Sequence, residues 1–115
     1  MIKKQSVQAS EVRKNMRAGP GEVVIRHYFN KEDFSARCRL CAQLVLAPAA
    51  GIGPHQHTDE DEVFIIQQGR GVLNEDGRET EVVAGDAILT GKGATHSITN
   101  TGDEELVITA VIMHY

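Results

Sequence analysis

Short runs of β-type sequence, cut every few positions by a turn residue, constrain this chain most. Gly69, Gly77, Gly85, Gly91, Gly93 and the Gly102-Asp103 pair punctuate its second half. Their spacing is close to the roughly 8 to 12 residues typical of successive short strands. Strands are expected at residues 23–29, 37–46, 62–68, 71–74, 79–83, 87–90, 96–100 and 106–113. Glu75-Asp76-Gly77 signals a tight turn between two of them. Such a pattern makes an all-β sandwich or barrel, not a parallel βαβ sheet. Ahead of it, residues 10–14 read as a capped helical turn reaching toward Met16 and broken by Ala18-Gly19-Pro20-Gly21. The run 106–113 is apolar nearly throughout, which predicts burial on both faces, deep in the barrel or against a second subunit. A homodimer is the expected assembly.

With 115 residues the chain forms one domain, 1–115, with a core barrel at about 37–113 and an N-terminal arm at 1–36. Aromatic residues make up 4% and there is no tryptophan, so the core must be aliphatic. The net charge is −4 and no basic run exceeds Lys3-Lys4, which argues against a nucleic-acid partner. No stretch approaches the roughly 18 to 20 apolar residues of a membrane span. The N-terminus lacks an apolar signal region, so no membrane association and a cytoplasmic location are expected. Cys38 and Cys41 form a lone CxxC inside an expected strand. Residues three apart on a strand face opposite sides, so both read as reduced, structural thiols.

Metal-ligand types recur where strands can bring them together. His55 and His57 are two apart, so both imidazoles project to one side of an extended segment. Glu62 is in phase with the apolar Phe64 and Ile66, and His96 shares a face with Ile98 and Asn100. A register slip of one residue would turn Asp61 inward instead; the continuation through Phe64 and Ile66 favours Glu62. Three imidazoles and one carboxylate suit a divalent transition metal (Fe, Mn, Ni, Zn or Cu(II)), not Cu(I) or iron–sulfur chemistry. On a six-coordinate metal they leave two positions open for a substrate or water. Gln43 and Arg39 share a strand face. If it points inward, Gln43 orients a substrate or metal-bound water, and Arg39 pairs with a substrate carboxylate or phosphate; a solvent-facing edge is the alternative for Gln43. Asp59 and Glu60 read as a solvated acidic run, and Asn100 as a turn-fixing residue. Phe64, Ile66, Ile98 and Met113 are expected to fill the barrel.

At these residues the chain resembles the cupin superfamily. Its first motif, G-x5-H-x-H-x3-4-E-x6-G, is met by His55, His57, Glu62 and Gly69; its second, G-x5-P-x-G-x2-H-x3-N, by Gly85, Gly93, His96 and Asn100. Two positions depart: Ala49 stands where the first motif has glycine, and Gly91 where the second has proline, which should loosen the turn before His96. The resemblance implies a double-stranded β-helix, a small jelly-roll barrel, with metal held by His55, His57, Glu62 and His96 near one mouth. It also implies a metal-dependent enzyme on a small oxygen-rich molecule (a dioxygenase, isomerase or decarboxylase). In that enzyme Glu62 would serve as base if it detaches, with Gln43 assisting. The alternative is a non-catalytic binding barrel or sensor whose metal organises a small-molecule ligand.

Overall fold

From Leu106 to Ile112 along the strand Leu106–His114, every second side chain is buried and the residues between are half-buried. That rhythm recurs across the computed structural model, which describes residues 1–115. Ten strands follow in chain order: β1 Ser10–Lys14, β2 Glu22–Phe29, β3 Cys38–Leu46, β4 Gly51–Gln56, β5 Glu60–Gln68, β6 Arg70–Glu75, β7 Arg78–Val83, β8 Ala87–Thr90, β9 Thr95–Asn100 and β10 Leu106–His114. Single 3-10 turns lie at Gln5–Val7, Met16–Ala18 and Lys31–Asp33. The strands form two antiparallel sheets, one ordered β1-β2-β3-β10-β5-β8 and the other β4-β9-β6-β7. Their inner faces enclose an aliphatic core in which Leu44, Leu46, Phe64, Ile66, Ile98, Leu106 and Ile108 are almost wholly buried. The all-β jelly roll expected from the sequence is the fold observed.

Two local expectations are corrected. Residues 10–14 form no helical turn; they are edge strand β1, paired with β2 from Ser10 opposite Arg26 to Lys14 opposite Glu22. All five side chains of β1 are exposed. Main-chain pairing and contacts such as His27 Nε2 to Glu11 Oε1 at 3.4 Å hold it, and local propensity cannot see that partner. Residues 51–56 were expected only as an extended, glycine-broken segment. They form strand β4, which pairs with β9 at Gly51 opposite Thr99, Ile52 opposite Ile98 and His55 opposite His96. Strand β10 is central in its sheet, with Leu106, Ile108, Ala110 and Ile112 buried on its inner face and Val107, Thr109 and Val111 half-buried on its outer one. Val23 and Ile25 of β2 also pack into the core.

Asn100 pins the far end of β9. Its amide donates to the carbonyls of Leu46 at 3.0 Å and Glu104 at 2.8 Å, and its Oδ1 accepts from Gly102 N at 2.9 Å. It fixes a turn, as expected.

Candidate metal centre

Both sheets contribute to one cluster. His55 lies on β4 and His96 directly opposite it on β9. His57 follows the end of β4 and is held by its own backbone. Its N–H donates to Ala94 O and its carbonyl accepts from Gly93 N, both at 3.0 Å. Glu62 comes from β5 of the other sheet, where the inward phase runs through Phe64 and Ile66. The carboxylate turned inward is therefore Glu62, at 4% exposure, and Asp61 stays partly exposed.

The candidate ligand atoms of His55, His57, Glu62 and His96 lie within 4.8 Å of one another. His57 Nε2 and His96 Nε2 are 3.0 Å apart, and His96 Nε2 and His55 Nε2 are 3.1 Å apart. Glu62 Oε1 sits 2.9 Å from His96 Nε2, 3.0 Å from His57 Nε2 and 3.9 Å from His55 Nε2. The surrounding contacts set two of the tautomers. His55 Nδ1 donates to Gly53 O at 2.8 Å, and His57 Nδ1 to Glu60 Oε1 at 2.8 Å. Each ring therefore aims an Nε2 lone pair inward. Glu62 Oε1 is buried with no hydrogen-bond partner of acceptable geometry despite its ring neighbours. Lone pairs this close repel one another until a cation, or added protons, lies between them. The residues fit a divalent transition metal, and they are positioned to bind one.

The electrostatics agree in sign. Burial alone would raise the Glu62 carboxyl, but the three imidazoles outweigh it and hold it far below its ordinary 4.5. His57 is raised above its ordinary 6.5, chiefly by Glu62, with burial opposing and Glu60 adding to the rise. Glu60 is lowered from 4.5 to about 2, first by the Arg39 hydrogen bond, with burial opposing and His57 assisting.

A cavity of ≈ 190 Å³ opens over the cluster. Ile25, Leu40, Leu44, Ile52, Phe64 and Ile112 supply its apolar wall. Its polar rim carries Glu11 and Arg13 of β1, Arg17, His27 and Arg39. Arg39 reaches the cavity because β3 is irregular there: Met113 pairs with Cys38 and Ile112 with Leu40, leaving Arg39 as the extra residue of a bulge. The structure does not bring Gln43 to the cluster. It alternates with core residues Ala42 and Leu44, is half-buried on the other face, and its amide oxygen accepts from Arg26. Phe64, Ile66 and Ile98 fill the barrel as expected, whereas Met113 is 42% exposed. Cys38 is buried, Cys41 is half-buried, and both are free. Sequence reasoning did not single out Glu11, and it read Glu60 as part of a solvated acidic run. For Glu60 a signal existed, since it shares the two-residue phase of Glu62, Phe64 and Ile66.

Comparison with known proteins follows the same lines. Residues 42–112 match the family model described as Cupin domain. The oxalate-binding protein of Thermotoga maritima is 38% identical over 113 residues, covering 98% of this chain and 93% of that one. The crystal structure of a predicted oxalate decarboxylase from Thermotoga maritima, 37% identical, superposes with a TM-score of 0.95 over 100% of both chains. The polyketide cyclase RemF of Streptomyces resistomycificus shares the fold alone, at 19% identity and a TM-score of 0.76 over 99% of this chain and 80% of that one.

Proposed function

This chain belongs to the cupin family, and on that premise we propose that it is a metal-dependent binding protein for a small dicarboxylate of the oxalate class. One observation carries the reading: His55, His57, Glu62 and His96 converge at a small cavity whose rim also carries Arg17. When bound, Mn, Fe, Ni or Zn would supply Lewis acidity and open positions for carboxylate oxygens. Arg17, on the rim of the same cavity, supplies charge complementarity to a carboxylate, since the Arg39 fork is engaged by Glu60. The name of the Thermotoga relative supports the oxalate class.

Binding is favoured over turnover because neither carboxyl of the cavity is placed to act as a general acid. Glu11 is the one cavity carboxyl besides Glu62. Burial would raise it, but contacts with His27 and Arg13 leave it below its ordinary 4.5, so it is ionised at neutral pH and a poor general acid. Glu62 is packed among three imidazoles, which suits a ligand better than a base that detaches.

Metal analysis and calorimetry of untagged protein test this reading. About one equivalent of metal per chain is expected, with oxalate binding to the loaded protein and not to the metal-free form. His57→Ala should weaken metal binding by orders of magnitude with the fold intact. Failure of the wild-type protein to take up any metal would sink the reading, whereas release of CO2 from oxalate would make the protein a decarboxylase instead.

A homodimer is part of the proposal. The outer face of the larger sheet carries Val45, Val63, Ile65, Leu89, Val107 and Val111, and Val107 pairs with Val45 and Val111 with Val63. Ile65 is 42% and Leu89 66% exposed, an apolar surface that a second copy would cover. Sedimentation equilibrium should report twice the chain mass of 12.6 kDa. The free thiols support a reducing, cytoplasmic location. No helix is long and apolar enough to cross a membrane.

A further inference from the structure

The three imidazoles of the cluster are not held alike. His55 Nδ1 gives its proton to a neutral main-chain carbonyl, Gly53 O, at 2.8 Å. His96 Nδ1 is buried and has no partner at all. His57 Nδ1 instead meets a carboxylate, Glu60 Oε1, at 2.8 Å. That carboxylate is itself clamped: Arg39 Nε donates to Glu60 Oε2 at 2.6 Å, and Arg39 Nη2 to Glu60 Oε1 at 2.8 Å. Glu60 is only 12% exposed and His57 1%. Four groups thus run in line from the cavity wall to the cluster: Arg39, Glu60, His57 and Glu62.

We propose that Glu60, braced by Arg39, is a positioning residue that locks His57 as an Nε2 ligand and makes it the most strongly held imidazole of the site. The inference rests on the metal-binding reading but not on the identity of the anion. Its physical basis is the carboxylate–histidine–metal relationship, in which the outer carboxylate fixes ring orientation and tautomer and increases the electron density the ring can donate. The bidentate guanidinium fork adds geometric restraint, because two parallel N–H bonds allow one orientation of the carboxylate. The bulge that displaces Arg39 from the strand rhythm puts the fork within reach of Glu60.

The test is titration of the folded, metal-free full chain with Mn(II), with circular dichroism confirming the fold of each variant. Glu60→Ala should weaken Mn(II) binding about 10- to 100-fold. Glu60→Gln keeps an acceptor oxygen and loses the charge, so a loss of roughly three- to tenfold is expected. Arg39→Met should weaken binding in the Glu60 background and add almost nothing once Glu60 is alanine, since the two act in series. Asp59→Asn, a neighbouring acid at φ +57° where asparagine is at ease, should change nothing. A Co(II) spectrum supplies a signature that a purely structural role would not move: Glu60→Gln should shift the visible bands, and Asp59→Asn should leave them in place. Wild-type-like Mn(II) affinity, within about twofold, in the Glu60 variants would overturn the assignment. If Glu60→Ala does not fold, Glu60→Gln decides. A wild-type protein that takes up no Mn(II) would instead overturn the metal-binding reading beneath it.

Discussion

Ala49 adopts φ +68°, a left-handed conformation, at the position where the cupin pattern has glycine. Its N–H donates to Asn100 O at 3.2 Å, and Ala50 N donates to Ala47 O at 2.9 Å, so the turn between β3 and β4 is fixed and the strain stays in it. An L-residue in this region loses about 1–2 kcal/mol, part of which glycine gives back through its freer unfolded chain. Ala49→Gly should therefore stabilise the protein by about 1 kcal/mol in urea denaturation. The other departure from the pattern behaves differently. Gly91 was expected to loosen the turn before His96, yet Ala94 N donates to Gly91 O at 3.1 Å and Gly93 N to His57 O at 3.0 Å. A Cβ at Gly91 would run into the Asp61 side chain. At this scale two-residue periodicity was a sound guide: it turned Glu62 inward and left Asp61 out. The same periodicity applied to Glu60, but the acidic company of Asp59 and Asp61 made a solvated run the simpler reading.

Strand β4 carries His55 and is packed backbone to backbone against the Met16–Ala18 turn. A Cβ at Gly53 would meet Arg17 O, and one at Gly19 would meet Gly51 O. Main chain cannot swing aside as a long side chain does. Gly53→Ala should thus cost about 1–3 kcal/mol and disturb the carbonyl that orients His55. Thermal unfolding and Mn(II) titration of the variant would show both effects, and unchanged values in both would refute the close packing. This contact also explains what the sequence concealed. The ligand spacing in residues 51–56 was legible, but two glycines and a proline argue against a strand until β9 is present to pair with it. Likewise β1 is polar and exposed throughout, so nothing local separates an edge strand from a helical turn.

Across the whole molecule, the charged cluster ties stability to pH. Glu60 and Glu62 have folded values below the ordinary 4.5, so their contribution is complete above that pH and lost as pH falls through the folded values. His57 has a folded value above the ordinary 6.5, so its contribution is complete below 6.5 and lost as pH rises through the folded value. The metal-free protein should be most stable between these limits. Metal binding requires deprotonated imidazoles and adds about 2.7 kcal/mol at a hundredfold excess over Kd. Loading with Mn(II) should therefore move the optimum upward, and urea titrations across pH with and without Mn(II) would reveal an optimum that stays in place. Fold class was legible at this scale because turn spacing is a property of the entire chain, whereas the pairing order of the strands was not. That order has a temporal consequence. β10 lies between β3 and β5, so during synthesis the larger sheet exists only as two unjoined pieces, β1-β2-β3 and β5-β8. Until residues 106–114 leave the ribosome, β3 and β5 each present an open edge, and that interval is when the nascent chain most needs protection from its neighbours.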